Sequence, residues 1–180
     1  MPVGSVLRFH RFILRLSHLL PADIVATIHD TTEMDAITSP SLLKVYVVED
    51  FIPVRERFVA LLKAIDGVEI VGTAADPVAA LAGIVRCRAD VALVDWHLSA
   101  GTCGLAVLMG IAQQRLPVIA IVMTNFAVPE VRQASLAAGA HFFFDKTSEF
   151  SRVRDTVQRL AEKNRNNLPE NLARNQPPDP

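Results

Sequence analysis

The chain has 180 residues, 51% of them hydrophobic and 21% charged, with a net charge of −1 at pH 7. That length can close one substantial core, and the near-neutral balance gives no bulk electrostatic reason to expect a nucleic-acid partner. The two cysteines, Cys87 and Cys103, form neither a metal-ligand spacing nor a disulfide framework, which points to reduced thiols and a cytoplasmic protein, and no apolar run reaches the roughly 18–20 residues a bilayer span requires.

In chain order, the segment VLRFHRFILRLSHLL comes first. It puts Phe9, Phe12, Ile13, Leu16, Leu19 and Leu20 on one helical stripe and Arg8, Arg11, Arg15 and His18 on the other. This predicts a basic amphipathic helix, fit for a membrane surface or a partner, within an N-terminal extension over 1–41. Arginines break every apolar run, which argues against a secretory signal. A plainer alternative starts translation at Met34 and leaves residues 1–33 outside the native protein. TTEMDAITSPS is a polar approach to the first strand in either case.

From residue 44 short β-branched runs alternate with helical patterns: KVYVVE, VEIVGTA, DVALVD, PVIAIVM and HFFFD. Such nearly continuous apolar runs suit strands covered on both faces of a parallel sheet. Val54, Phe58, Leu61, Leu62 and Ile65 form one stripe between the first two. Asp76–Pro77 caps a second helix, whose Val78, Leu81, Ala82 and Val85 are expected to share the core face. A third helix is predicted over about 104–114. A fourth runs from Pro129 toward Gly139, and a fifth covers about 149–163 with Phe150, Val153, Val157 and Leu160 on one side. The polar, proline-rich composition of 165–180 predicts a disordered tail. The whole reads as an α/β sandwich with right-handed crossovers, one domain over 42–164.

Ligands of open parallel sheets sit at the carboxyl ends of the strands. To that edge the first strand delivers Glu49 and Asp50, the third Asp95, the fourth Thr124 and Asn125, and the fifth Lys146. Singly each has a plain reading: Asp50 could cap a helix near Pro53, Asp95 could be a turn residue, Lys146 a solvated charge. Together they are hard to explain that way. Two carboxylates about 5 Å apart repel by roughly 3 kcal/mol at an effective dielectric near 20. Three need counter-charge, which Lys146 and a divalent cation would supply. An all-oxygen donor set suits Mg²⁺.

The set VVED, LVDWHLSAG, IVMTN and FFFDKT resembles the receiver domain of two-component response regulators. The spacings of 45, 29 and 22 residues between Asp50, Asp95, Thr124 and Lys146 suit that family. The resemblance covers about residues 42–164. It implies a flavodoxin-like (βα)5 doubly wound parallel sheet in strand order 2-1-3-4-5. Asp95 would be the phosphoacceptor, assisted by Thr124 and Lys146, and Glu49, Asp50, Asp95 and the Trp96 backbone carbonyl would bind Mg²⁺. Thr124 and Phe143 would act as switch residues. A sensor histidine kinase or histidine phosphotransfer protein would donate the phosphoryl group. A downstream protein would read the face made by the fourth helix, fifth strand and fifth helix.

Two departures stand out. The family usually has proline after the lysine, often in a cis peptide, where this chain has Thr147; and Phe143 occupies a position that is often Tyr. His97 is expected at the rim, where it would affect dephosphorylation, Cys103 to open the third helix, and His141 to be structural. A non-phosphorylated pseudo-receiver and a small aspartate-nucleophile phosphatase are the alternatives, although the phosphatase pattern wants an acid where His97 stands. With no C-terminal effector segment visible, direct DNA binding is not expected. The sequence leaves homodimerisation open.

Overall fold

The computed structural model describes residues 42–98 and 103–166. The expected N-terminal helix, the Met34 alternative, the polar approach, the tail beyond 166 and residues 99–102 of the SAGTCG loop lie outside the described residues. So do His10, His18 and His29.

Strands and helices alternate strictly. They are β1 (Leu43–Val48), α1 (Ile52–Lys63), β2 (Val68–Ala74), α2 (Pro77–Cys87), β3 (Val91–Asp95), α3 (Gly104–Gln113), β4 (Ile119–Thr124), α4 (Pro129–Ala137), β5 (Phe142–Asp145) and α5 (Phe150–Asn166). The five strands are parallel and ordered β2-β1-β3-β4-β5, the flavodoxin-like arrangement expected from the resemblance. All carboxyl ends therefore meet on one edge, and the switch in strand order falls between β1 and β3.

Side-chain alternation along the strands builds two cores. Leu43, Val45, Val47, Leu93, Ile121, Met123 and Phe144 face Phe58 and Leu62 of α1 and Val153 and Val157 of α5. Tyr46, Val48, Ala92, Val94, Val122 and Phe143 face Ile84 of α2 and Val107, Leu108 and Ile111 of α3. Edge strand β2 is mostly half-buried and slips register against β1 at a bulge between Val45 and Tyr46.

The structure corrects the expected core face of α2. Its buried residues are Pro77, Ala80, Gly83 and Ile84, whereas Val78, Ala82 and Val85 are exposed and Leu81 is half-buried. PVAALAGIVRC is apolar on nearly every side, so periodicity alone does not choose a face. Tyr46 chooses it: the phenol ring lies against the helix backbone where Gly83 has no side chain, and a Cβ there would collide with the ring. The Tyr46 hydroxyl donates to the Thr73 carbonyl at 3.1 Å. A second correction concerns α5, which continues through Asn166, two residues into the segment expected to be disordered.

At the other end of the sheet order, β5 is gripped from both layers. The Arg132 guanidinium of α4 lies 4.7 Å from the Phe143 ring centroid, and Arg152 of α5 lies 5.5 Å from that of Phe144. Glu149 joins the two arginines, 3.9 Å from Arg132 and in a direct ion pair with Arg152.

Candidate functional site

The carboxyl edge gathers the expected side chains. β1 ends in the core residue Val48, so Glu49 follows it into the interior and is 2% exposed. The chain turns at once into α1, whose N-cap is Phe51 and makes no side-chain cap. Asp50 is therefore not spent as the helix cap. Arg55 holds this turn, donating to the Glu49 carbonyl at 2.8 Å and the Asp50 carbonyl at 3.4 Å. The sequence reading missed Arg55; a basic residue one turn into the helix after an acidic pair was the available signal.

Asp95 closes β3 and is 7% exposed. Ligand oxygens of Glu49, Asp50 and Asp95 lie within 4.8 Å of one another. Lys146, just past β5, sends its ammonium across the pocket, 2.6 Å from Glu49 Oε2 and 2.8 Å from Asp95 Oδ2. Its backbone N–H donates to the Thr124 carbonyl at 2.8 Å, which ties the ends of β4 and β5 together. Burial pushes the Glu49 carboxyl above its ordinary value and the neighbouring Asp95 pushes the same way, while the hydrogen bond from Lys146 opposes both. Three carboxylates against one ammonium leave excess negative charge, and the donors are all oxygen. The residues fit a divalent magnesium ion.

The Asp95 Oδ1 accepts the His97 N–H at 3.2 Å. The Trp96 carbonyl accepts the Gly104 N–H at 2.9 Å, so one of its two lone pairs is directed at α3. Gly104 is required at this point: a Cβ would strike the Asp95 carbonyl oxygen, so any larger residue would push the helix away from the site. Cys103 is the N-cap of α3, its Sγ accepting the Leu105 N–H at 3.5 Å.

Thr124 is fully buried at the end of β4, and its Oγ1 accepts the Phe126 N–H at 3.0 Å. Asn125 is exposed. Phe143 is buried beneath Arg132. His141 acts in the backbone frame, with Nδ1 accepting the Ala120 N–H at 3.1 Å. Among the described residues no peptide bond is cis, so Lys146–Thr147 is trans. The Asp145 carboxylate accepts the Thr147 and Ser148 N–H groups, which lowers its pKa below the ordinary value. No helix among the described residues is long and apolar enough to cross a membrane.

The family model of the response regulator receiver domain matches residues 45–158. No curated protein sequence matches the chain. Among solved structures, the signal receiver domain of NarL from Mycobacterium tuberculosis is 29% identical at a TM-score of 0.63, over 68% of this chain and 98% of that one. A LuxR-family DNA-binding response regulator from Staphylococcus aureus is 22% identical at 0.61, over 67% and 99%. The CheX–CheY–BeF3–Mg²⁺ complex from Borrelia burgdorferi is 19% identical at 0.59, over 66% and 88%. The latter two likenesses speak for the fold alone. With the family model covering well over half the chain and the acidic, hydroxyl and ammonium groups converging on one edge, this chain belongs to the response regulator receiver domain family of two-component signalling proteins.

Proposed function

We propose that this receiver accepts a phosphoryl group on Asp95 from a phosphohistidine of a sensor kinase or phosphotransfer protein. The observation that carries the reading is the convergence of Glu49, Asp50 and Asp95 on one point with Lys146 bonded to two of them. A carboxylate oxygen of Asp95 forms the O–P bond while the donor's N–P bond breaks, and the electron pair leaves with the donor imidazole. Glu49, Asp50, Asp95 and the open lone pair of the Trp96 carbonyl would hold Mg²⁺, which when bound neutralises phosphoryl oxygens. Lys146 is placed to bind one of those oxygens, giving up part of its contact with Asp95. The Thr124 hydroxyl binds another.

The added charge on Asp95 would then shift Thr124 and Phe143, and a downstream protein would read the α4–β5–α5 face. The receiver domain is proposed to span residues 42–164, following an N-terminal extension over 1–41. The test is intact-mass analysis after incubation with acetyl phosphate. One phosphoryl adduct is expected that requires Mg²⁺ and is absent from Asp95→Asn. Unchanged labelling of Asp95→Asn refutes the assignment, and no labelling of the wild type favours a pseudo-receiver, in which Lys146 permanently closes the pocket.

A further inference from the structure

We propose that His97 is a positioning residue that keeps the Thr124 hydroxyl engaged away from the phosphoryl site, so that modification of Asp95 must break a His97–Thr124 hydrogen bond. The proposal rests on Asp95 being the phosphoacceptor. The pairing itself is a feature of the side chains in hand: His97 Nδ1 lies 3.3 Å from Thr124 Oγ1.

Donor bookkeeping assigns its direction. A threonine hydroxyl has one hydrogen to give and two lone pairs. One lone pair of Thr124 accepts the Phe126 N–H. The side chain is fully buried, so its hydrogen needs an acceptor, and among the described residues His97 Nδ1 is the partner in reach. Nδ1 therefore accepts, and the imidazole carries its proton on Nε2. The backbone of His97 is fixed at two points, its amide N–H donating to Asp95 Oδ1 at 3.2 Å and its strand-like bridge to Cys103, while the ring itself meets the Phe126 ring at a centroid distance of 6.2 Å.

The competition follows from chemistry. Phosphoryl oxygens on Asp95 are charged acceptors, which bind a hydroxyl hydrogen more strongly than a neutral imidazole nitrogen does. The hydroxyl can serve one acceptor at a time, so its transfer to the phosphoryl group releases His97 and loosens the contact with Phe126. Both are exposed side chains. The unmodified state is thus held by a bond that the modified state must give up, and the magnitude of that hold is the net worth of one partly buried hydrogen bond.

The probe is beryllofluoride with Mg²⁺, titrated against the fluorescence of Trp96, the one tryptophan of the chain. His97→Ala should tighten beryllofluoride binding about fivefold. His97→Asn, which keeps an acceptor oxygen at the δ1 position, should stay close to the wild type. In a Thr124→Val background His97→Ala should change nothing. Equal effects of Ala and Asn, no effect of Ala, or an effect that persists in Thr124→Val each overturn the proposal. Nitrogen NMR of the unmodified protein gives an independent reading: an unprotonated Nδ1 on His97 supports it and a protonated one ends it. A wild type that takes no beryllofluoride sinks the phosphoacceptor reading itself, and the NMR result still separates that failure from a missing His97–Thr124 bond.

Discussion

Lys146 and Asp95 stand at the carboxyl ends of different strands, 51 residues apart in sequence, yet their charged groups lie 2.8 Å apart in an interior where both side chains are more than nine-tenths buried. The same ammonium lies 2.6 Å from Glu49. Replacing it by an apolar side chain leaves two carboxylates in low dielectric with no counter-charge, which typically costs about 3–5 kcal/mol. Lys146→Met should therefore lower the urea midpoint sharply in metal-free buffer, and Mg²⁺ should restore part of the loss. A midpoint unchanged in chelator would mean the ion triad does not hold the folded state.

Magnesium should stabilise the wild type by mass action, by about 2.7 kcal/mol at a concentration one hundred times the dissociation constant. Asp50 is one of the three convergent acids. Asp50→Ala should abolish most of the Mg²⁺-dependent rise in Tm and the accompanying change in Trp96 fluorescence. Equal Mg²⁺ responses in the two proteins would place the cation elsewhere.

Tyr46 is the chain's single tyrosine, so its ionisation can be read without ambiguity from near-ultraviolet absorbance. Burial raises its pKa above 10.0, with a smaller push from Cys87. Its folded value exceeds its unfolded one, so its contribution to stability is complete below pH 10 and is lost as the pH climbs through the folded value. The expected result is an absorbance titration delayed beyond that of free tyrosine, with stability declining over the same interval. Gly83→Ala, which forces a methyl group into the ring, should cost about 1–3 kcal/mol and bring the titration back toward normal.

Among the described residues, the two cores run from Leu43 to Ala161. If translation starts at Met34, a chain beginning there should unfold with the same urea midpoint as the full chain and label equally with acetyl phosphate. A lowered midpoint would show that residues 1–33 contribute to the folded receiver.

The sheet and the residues at its carboxyl edge were legible because both depend on short-range signals: apolar runs of strand length, four of the five ending in or followed directly by a polar residue. Glu49, Asp50, Asp95, Thr124 and Lys146 stand at strand ends and need only the topology to meet. The parts that were not legible depend on which side chain packs on which. The α2 face was misjudged because Tyr46, in a different strand, selects Gly83 over the larger apolar residues. Arg55 and the His97–Thr124 pair escaped for a similar reason. Their roles lie in bonds to backbone carbonyls and to a hydroxyl, which leave no periodic trace in the sequence.

Phe143 and Phe144 are neighbours in the chain but belong to opposite layers, each capped by an arginine, and one carboxylate, Glu149, serves both arginines. A displacement at the Lys146 end of this short strand therefore has no single-sided outlet. It would bear on the fourth and fifth helices in concert, through a yoke whose crosspiece is one acidic side chain.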